Sequence, residues 1–261
     1  MVLIKTGIYV DGENIRLNGG FGLRYDVLRR YGEIGHSQLL RANSYLVEDQ
    51  ERMSTDPRYR EKLFRYYDNL RRYGYKLIRK VVKKYTDENG KVHRKANSDL
   101  ELAIDALLQS DNLDRIILLS GDGDFVRLVV ALQNRGLRVE VIGFDSVSLE
   151  LSRTADFYVS GFLIPGMLPR EEEDEESGHP SHTLEFWKQN GYGWLRYYEL
   201  GENGLSEQTI FFHRSALLED YTDEEICDPG NIFTFTIHAS DDKRNQYKAE
   251  RVSLLRSGVV V

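Results

Sequence analysis

The stretch Ile116-Ile117-Leu118-Leu119-Ser120-Gly121-Asp122-Gly123-Asp124 decides the fold expected for this chain. Its apolar half predicts a short buried strand, which the serine, the glycines and the aspartates bring to an end. A second run of this kind, Ile8-Tyr9-Val10-Asp11-Gly12-Glu13-Asn14, lies near the start of the chain. In open α/β sheets, ligands bind outside the carboxyl ends of the strands. Two strands that end in acid and glycine therefore predict one shared acidic pocket.

Strand and helix patterns alternate up to about residue 165. Short apolar runs predict strands at 7–10, 39–47, 115–119, 137–144 and 156–160. Helical spacing of apolar residues predicts helices at 25–31, 56–73, 125–134 and 149–154, with a further helix that begins after Ser98. Strands that are apolar throughout are typical of parallel sheets. The predicted fold class is therefore α/β, a parallel sheet with helices on both faces.

The helix that follows Ser98 brings another carboxylate toward the predicted pocket. Ser98 and Glu101 have the spacing of a capping box. Apolar residues at helical spacing predict the buried face of this helix: Leu100, Ala103, Ile104, Leu107 and Leu108. Asp99 occupies the first helical position, where a carboxylate suits the helix dipole and can point inward as a ligand. Asp105 lies six residues further on, about 120° around the helix from Asp99.

Carboxylates at these positions fit a hard divalent cation. Mg²⁺ and Mn²⁺ prefer oxygen ligands, and a metal-bound water suits the cleavage of phosphodiesters. The candidate metal ligands are Asp11, Asp99, Asp122 and Asp124, and the candidate catalytic residues are these four with Asn14 and Asp105. Asn14 would orient a carboxylate or a phosphate oxygen. The alternative is that the Asp-Gly pairs form ordinary turns.

A dinucleotide site is not expected at the second glycine motif. Gly121-x-Gly123 lacks the third glycine of the dinucleotide-binding fingerprint, because Val126 stands in its place.

A basic segment precedes the helix of Asp99. Residues 71–95 contain ten Lys and Arg against two acids, and the ranges 75–84 and 91–95 predict a β-ribbon arm closed by an Asn-Gly turn. Such a surface fits the phosphate backbone of a nucleic acid. The RNA-binding candidates here are Lys80, Lys83, Lys84, Arg94 and Lys95. The alternative is a solvated hairpin whose lysines protect its edge.

Charge divides the chain into two unequal parts. The formal net charge is 35 − 42 = −7, but residues 1–170 carry 27 − 23 = +4 and residues 171–261 carry 8 − 19 = −11. A run of six consecutive acids between the two parts predicts a solvated linker at 169–181. An alternative role for this run is to mimic nucleic acid and compete for a basic groove. The predicted domains are 1–168 and 182–261.

Composition also predicts the compartment. The chain has a single cysteine, Cys227, so an intrachain disulfide is excluded and a reducing environment is expected. No apolar run approaches the length of a membrane span, and the first residues are too short for a signal segment. We therefore expect a cytoplasmic protein with no membrane partner.

The acidic tail changes in character from alternating strand and helix to short strands. Apolar runs separated by Gly, Asn, Asp and Pro predict strands at 184–187, 193–197, 209–212, 232–238 and 247–255. Five strands in so short a segment predict a small all-β barrel.

At this point the motifs of the first part carry a family resemblance. Tyr-Val-Asp11-Gly-Glu-Asn14, Lys95-Ala-Asn-Ser-Asp99 through Asp105, Ser120-Gly-Asp122-Gly-Asp124-Phe and Gly136 through Gly143 resemble the NYN domain, in particular its LabA-like branch, which is related to PIN nucleases. The resemblance covers most of residues 5–165. It implies a PIN-like α/β fold and metal-dependent RNA cleavage, with the aspartates and Asn14 at the family's site positions. Asn97-Ser98 departs from the pattern, since many relatives have a glycine-containing stretch there.

The tail carries a second resemblance. Residues 186–195 and 210–217 resemble the two RNA-binding motifs of cold-shock domains, which are five-stranded OB-type barrels. In such a barrel, aromatic side chains on adjacent strands stack unpaired bases. The residues in the matching positions are Tyr192, Trp194, Phe211 and His213, with Lys188 beside them. Either Phe186 or Trp187 would join them. The alternative is a barrel that kept its core and lost its ligand.

Three functions compete at this stage. The leading one is a metal-dependent ribonuclease that cleaves single-stranded RNA with Mg²⁺ or Mn²⁺, its arm and barrel gripping the strand. The second is a non-catalytic RNA-binding regulatory adaptor with the same fold. The third, a phosphatase of the haloacid dehalogenase type, is disfavoured because Glu13 stands where that chemistry expects aspartate. A homodimer is an open alternative to a monomer.

Overall fold

The computed structural model describes residues 3–86, 92–95, 98–169, 178–240 and 245–259, and within 83–86 and 92–95 it describes the backbone alone. The elements of the first part are, in chain order, β1 (Ile4–Asp11), α1 (Gly12–Leu17), α2 (Tyr25–Glu33), β2 (Ser37–Glu48), α3 (Gln50–Thr55), α4 (Pro57–Arg72), β3 (Lys76–Val81), β4 (Lys83–Thr86), β5 (Val92–Lys95), α5 (Asp99–Gln109), β6 (Arg115–Leu119), α6 (Val126–Asn134), β7 (Arg138–Gly143), α7 (Leu149–Thr154) and β8 (Phe157–Ser160).

A six-stranded sheet with the order β3-β2-β1-β6-β7-β8 forms the centre of this part. Every neighbouring pair of strands is parallel. Side chains of β1 alternate between two cores, with Ile8 and Val10 on one face and Tyr9 on the other. All of β6 is buried, which explains its continuous apolar run. The predicted parallel sheet, covered on both faces, is confirmed.

The predicted basic arm divides into two structures. β3 joins the sheet as its edge strand, parallel to β2, whereas β4 pairs antiparallel with β5. β3 belongs to the sheet because its Leu77 and Ile78 pack against the two opposite cores. The prediction of one continuous ribbon over 75–84 was therefore wrong. The predicted turn lies outside the described residues.

The buried face of α5 matches the prediction only in part: Ala103 and Leu107 pack against the core, as predicted. Leu102 and Ala106 are fully buried against the sheet, whereas Leu100 is 66% exposed and Leu108 is 73% exposed. The helix carries apolar residues on more than one face, so periodicity alone did not identify the face that packs. The capping box is also absent, because the Ser98 side chain makes no capping hydrogen bond.

The tail folds into a closed five-stranded barrel. Its elements are β9 (His179–Trp187), β10 (Tyr192–Gly201), β11 (Gly204–His213), α8 (Asp223–Cys227), β12 (Ile232–Ala239) and β13 (Tyr247–Arg256). The strand order is β10-β11-β13-β12-β9, closed on itself, and β11 runs parallel to β13. Phe212, Phe233 and Phe235 fill the interior. The predicted small barrel of the OB type is confirmed in its architecture.

The barrel packs directly on the α/β part. Ile232 and Val259 are buried in the same core as strand β1 and helix α2. The Gly35 N–H donates to the Glu202 carbonyl oxygen at 3.2 Å. The two parts therefore share apolar packing, while the greater part of the predicted acidic linker lies outside the described residues. Within the described part of the chain, no helix is long and apolar enough to cross a membrane.

Candidate active site

An acidic pocket of about 230 Å³ lies at the carboxyl ends of β1 and β6. Its lining residues are Asp11, Glu13, Asn14, Leu17, Asn18, Val47, Ser98, Asp99 and Asp122. The two strand ends and the start of α5 therefore meet at one place, as the sequence pattern indicated. Parallel strands bring this about because their carboxyl ends lie along the same edge of the sheet.

Asp11 is a buried carboxylate at the end of β1, only 4% exposed. One oxygen accepts the Asn14 backbone N–H at 3.2 Å and so caps α1. The other accepts the Ser120 hydroxyl at 3.1 Å. Burial raises the pKa of Asp11 to about 6, and the nearby charges of Asp99 and Asp122 act in the same direction. In the absence of a cation, the Asp11 carboxyl group is therefore protonated more readily than an ordinary aspartate.

Ser120 holds the two acidic strand ends together. Its hydroxyl donates to Asp11 and accepts the Asp122 backbone N–H at 3.1 Å. The side chain is fully buried, so the position has no freedom to adjust. Sequence reasoning did not assign Ser120 a role; its place between a buried strand and Gly121-Asp122 was the available signal.

Asn14 acts on the same loop from the other side. Its side-chain oxygen accepts the Gly121 backbone N–H at 2.9 Å. The predicted role for Asn14 was to orient a carboxylate or a phosphate oxygen; in the structure it fixes the backbone that leads to Asp122.

Among the residues that the structure describes, three carboxylates form a compact acidic group. Oxygens of Asp99, Asp122 and Asp124 lie within 4.8 Å of one another. Asp122 also accepts the Asp124 backbone N–H at 2.9 Å, which shapes the turn that presents both side chains. Carboxylate oxygens at this spacing suit the coordination of Mg²⁺ or Mn²⁺. Asp11 is not one of the three; it lines the pocket with Asp99 and Asp122, whereas Asp124 is not among the lining residues.

Asp105 lies elsewhere. Its carboxylate accepts the Tyr45 hydroxyl at 2.9 Å on the face of the sheet below α5, and it does not line the acidic pocket. Its negative charge helps to raise the pKa of Tyr9 and Tyr45, whose burial is the larger cause. Asp105 thus links α5 to Tyr45 of strand β2 through a hydrogen bond.

The predicted RNA-binding lysines are only partly described. Lys80 lies on β3, where its ammonium donates to both Glu101 oxygens at 2.6 and 2.9 Å and lowers the pKa of Glu101. This pair ties the edge strand to the first turn of α5. The side chains of Lys83, Lys84, Arg94 and Lys95 lie outside the described part, although their backbones pair across β4 and β5.

An aromatic face, made of Trp187, Tyr192, Trp194 and Phe211, lies on the barrel. Ring centroids are 5.2 Å apart for Trp187 and Tyr192, 5.7 Å for Tyr192 and Phe211, and 5.9 Å for Trp194 and Phe211. All four side chains are at least partly exposed. In OB-type barrels the second and third strands form the face that binds oligonucleotides, and here those strands are β10 and β11.

The structure also shows which neighbour joins this face. Trp187 does so, whereas Phe186 stacks on the buried Phe212 at 5.6 Å. His213 is exposed opposite Tyr192 in the strand register. The ammonium of Lys188 lies 3.7 Å from Glu224.

Comparison with known proteins finds a matching family and similar proteins for the first part of the chain. A family model described as the NYN domain matches residues 5–163. Low amplitude and bright protein LabA from Synechococcus elongatus is similar, at 29% identity over 180 residues that cover 66% of this chain and 91% of that protein. A crystal structure of a protein of unknown function from Vibrio parahaemolyticus has a TM-score of 0.49 at 26% identity and covers 60% of this chain and 93% of its own. The family match ends before the barrel begins.

Proposed function

This chain belongs to the NYN domain family, and we propose that it is a metal-dependent ribonuclease that cleaves single-stranded RNA. Membership of this PIN-like family indicates an RNA-related function. The observation that carries the proposal is the group formed by Asp99, Asp122 and Asp124, whose oxygens lie within 4.8 Å of one another. A pocket with so much negative charge favours a divalent cation, which in turn attracts a phosphate.

Each acidic side chain has a place in the proposed chemistry. Asp99, Asp122 and Asp124 would hold Mg²⁺ or Mn²⁺, with Asp11 as a further ligand from the pocket wall. The ion would supply an activated water and would offset charge on the phosphate. Without an ion, burial holds the pKa of Asp11 at about 6; a bound cation would favour the ionised carboxylate, which is the form that serves as a ligand. Ser120 and Asn14 hold the loop in place so that the carboxylates keep their separation.

The barrel would bind the RNA strand. Unpaired bases stack on exposed aromatic rings, each stacked base contributing about 1–3 kcal/mol. The aromatic face presents Tyr192, Trp194 and Phe211 in a row on two adjacent strands. The lysines and arginine of β4 and β5, with Lys80, Lys188 and His213, would add contacts to the phosphate backbone and bases.

The experiment that separates this function from a non-catalytic adaptor is a cleavage assay. An end-labelled single-stranded RNA is incubated with the full chain in Mn²⁺ and in EDTA. The proposal requires products in Mn²⁺ and none in EDTA. RNA that is bound but stays intact under both conditions would establish the adaptor and overturn the nuclease.

A further inference from the structure

The β10–β11 ribbon links the aromatic face to the α/β part of the molecule. One end of the ribbon carries Tyr192 opposite His213, and the other end carries the turn between Gly201 and Gly204. Each strand is 10 residues long, which corresponds to about 30 Å. The ribbon therefore carries the proposed base-stacking surface at one end and contacts the α/β part at the other.

The far end of the ribbon docks on α2 and on the segment that follows it. The Glu202 carbonyl oxygen accepts the Gly35 N–H at 3.2 Å, and the Leu200 carbonyl oxygen accepts from the Arg30 guanidinium at 3.4 Å. Leu200 and Leu205 are partly buried against the core of the α/β part.

A second set of contacts comes from β12, from Arg256 at the end of β13 and from the residues that follow it. Ile232, at the start of β12, is fully buried in the α/β core, and Val259 beyond β13 is 4% exposed there. The Arg256 guanidinium lies over the Phe162 ring, 5.1 Å from its centroid. The barrel therefore contacts the α/β part through the ribbon and also through β12 and β13.

We propose that the acidic pocket and the aromatic face form one composite site at a fixed separation. This inference rests on the proposed nuclease function and specifies its substrate: single-stranded RNA long enough to occupy both places at once. The stacked segment then sets which phosphate enters the pocket, so cleavage falls at a constant distance from it. A flexibly tethered barrel would only raise the local concentration of RNA; a docked barrel also fixes register.

The test is a scan with abasic nucleotides, which keep the phosphates but remove the bases that stack. A labelled RNA of about 30 nucleotides carries a block of four abasic positions, matched to the smallest footprint of an OB-type face, about 4 nucleotides. The block is moved along a series of substrates, and cleavage by the full chain in Mn²⁺ is mapped. We expect cleavage at a given phosphate to fall at least fivefold when the block lies at one fixed offset from it.

A docking variant and its control complete the experiment. Leu205→Ser weakens the docking end of the ribbon and alters no residue of either site. In this variant, cleavage should no longer depend on one fixed offset from the abasic block, while cleavage of a tetranucleotide stays unchanged. Leu218→Ser, an exposed leucine of the barrel, should keep the offset. Cleavage that ignores the position of the block in the parent protein contradicts this inference alone. Absence of cleavage on every substrate contradicts the proposed function and the inference together.

Discussion

At the residue scale, Asp11 is the carboxylate whose environment is most unusual. It is buried, it caps α1 through the Asn14 N–H, and it accepts the Ser120 hydroxyl. Burial works against its ionised form, whereas a bound divalent cation would favour that form. Asp11 thus stores an electrostatic cost in the metal-free protein that a cation would relieve.

The raised pKa of Asp11 predicts how the stability of the Asp11→Asn variant depends on pH. The folded-state pKa of about 6 exceeds the ordinary 3.8, so between these values the folded protein binds more protons than the unfolded chain. Stability from this group is present below pH 4 and is lost as pH rises through 6, about 3 kcal/mol in all. Asn stays neutral and can still cap α1. In EDTA, the variant should match the parent at pH 4 and exceed its free energy of unfolding at pH 8.

Urea unfolding at both pH values, with and without Mn²⁺, measures this. Mn²⁺ should stabilise the parent and have less effect on the variant. If the free energies of unfolding of the two proteins differ equally at pH 4 and pH 8, folding does not raise the pKa of Asp11.

The residue scale also shows what a sequence can reveal about a site. The convergence of Asp11, Asp99 and Asp122 on one pocket was predictable, because each stands at the end or start of an element whose type its apolar pattern indicates. Ser120 was missed because a hydroxyl between two acidic motifs has no pattern of its own. The catalytic role of Asp105 stays a prediction: helical spacing separates it from Asp99, and in the structure its carboxylate accepts the Tyr45 hydroxyl.

At the element scale, α5 and β3 show where periodicity fails. The apolar residues of α5 cover more than one face, so the stripe of Leu100, Ile104 and Leu108 could not be distinguished from the buried Leu102 and Ala106. Lys76 and Lys80 gave β3 a charged pattern, which did not indicate a strand of the central sheet. Which residues of α5 are buried, and whether β3 joins the sheet, depend on the elements that pack beside them. The local sequence does not specify those elements.

The assignment of the α5 faces gives a prediction with a matched control. Leu102→Ala creates a cavity at a fully buried position and should destabilise the protein by about 2–5 kcal/mol. Leu108→Ala alters a side chain that is 73% exposed and should change the free energy of unfolding by no more than about 0.5 kcal/mol. Chemical denaturation of both variants decides this. Similar losses in the two variants would mean that α5 packs through its other face.

The aromatic face belongs to the same scale because two strands build it. Trp194→Ala should weaken binding of single-stranded RNA by about 1–3 kcal/mol, since it removes one stacking surface and leaves the barrel core intact. The control is Phe64→Ala, an exposed aromatic of α4 on the α/β part. Fluorescence anisotropy with a labelled RNA gives both affinities. Equal affinity for Trp194→Ala and the parent would remove this face from the RNA site.

At the scale of the whole molecule, the chain joins a mildly basic α/β part to a strongly acidic tail. The architecture of both parts followed from their patterns: alternation of strand and helix in one, closely spaced short strands in the other. Their docking did not follow, because Ile232 and Val259 look like ordinary barrel residues until the core they enter is known. The proposal that the acidic pocket and the aromatic face form one site rests on this docking.

The most direct test of the account compares the cleavage rate with the RNA affinity in Asp122→Asn. Asp122 belongs to the three-carboxylate group, and Asn keeps its size while removing the charge that would hold the ion. Asp68→Asn, whose side chain is 76% exposed on α4, is the control. If the three carboxylates hold a catalytic ion, Asp122→Asn in Mn²⁺ should cleave single-stranded RNA at least a hundredfold more slowly than the parent, with a Kd for RNA within about threefold. Cleavage by Asp122→Asn at the rate of the parent and of Asp68→Asn would contradict the account.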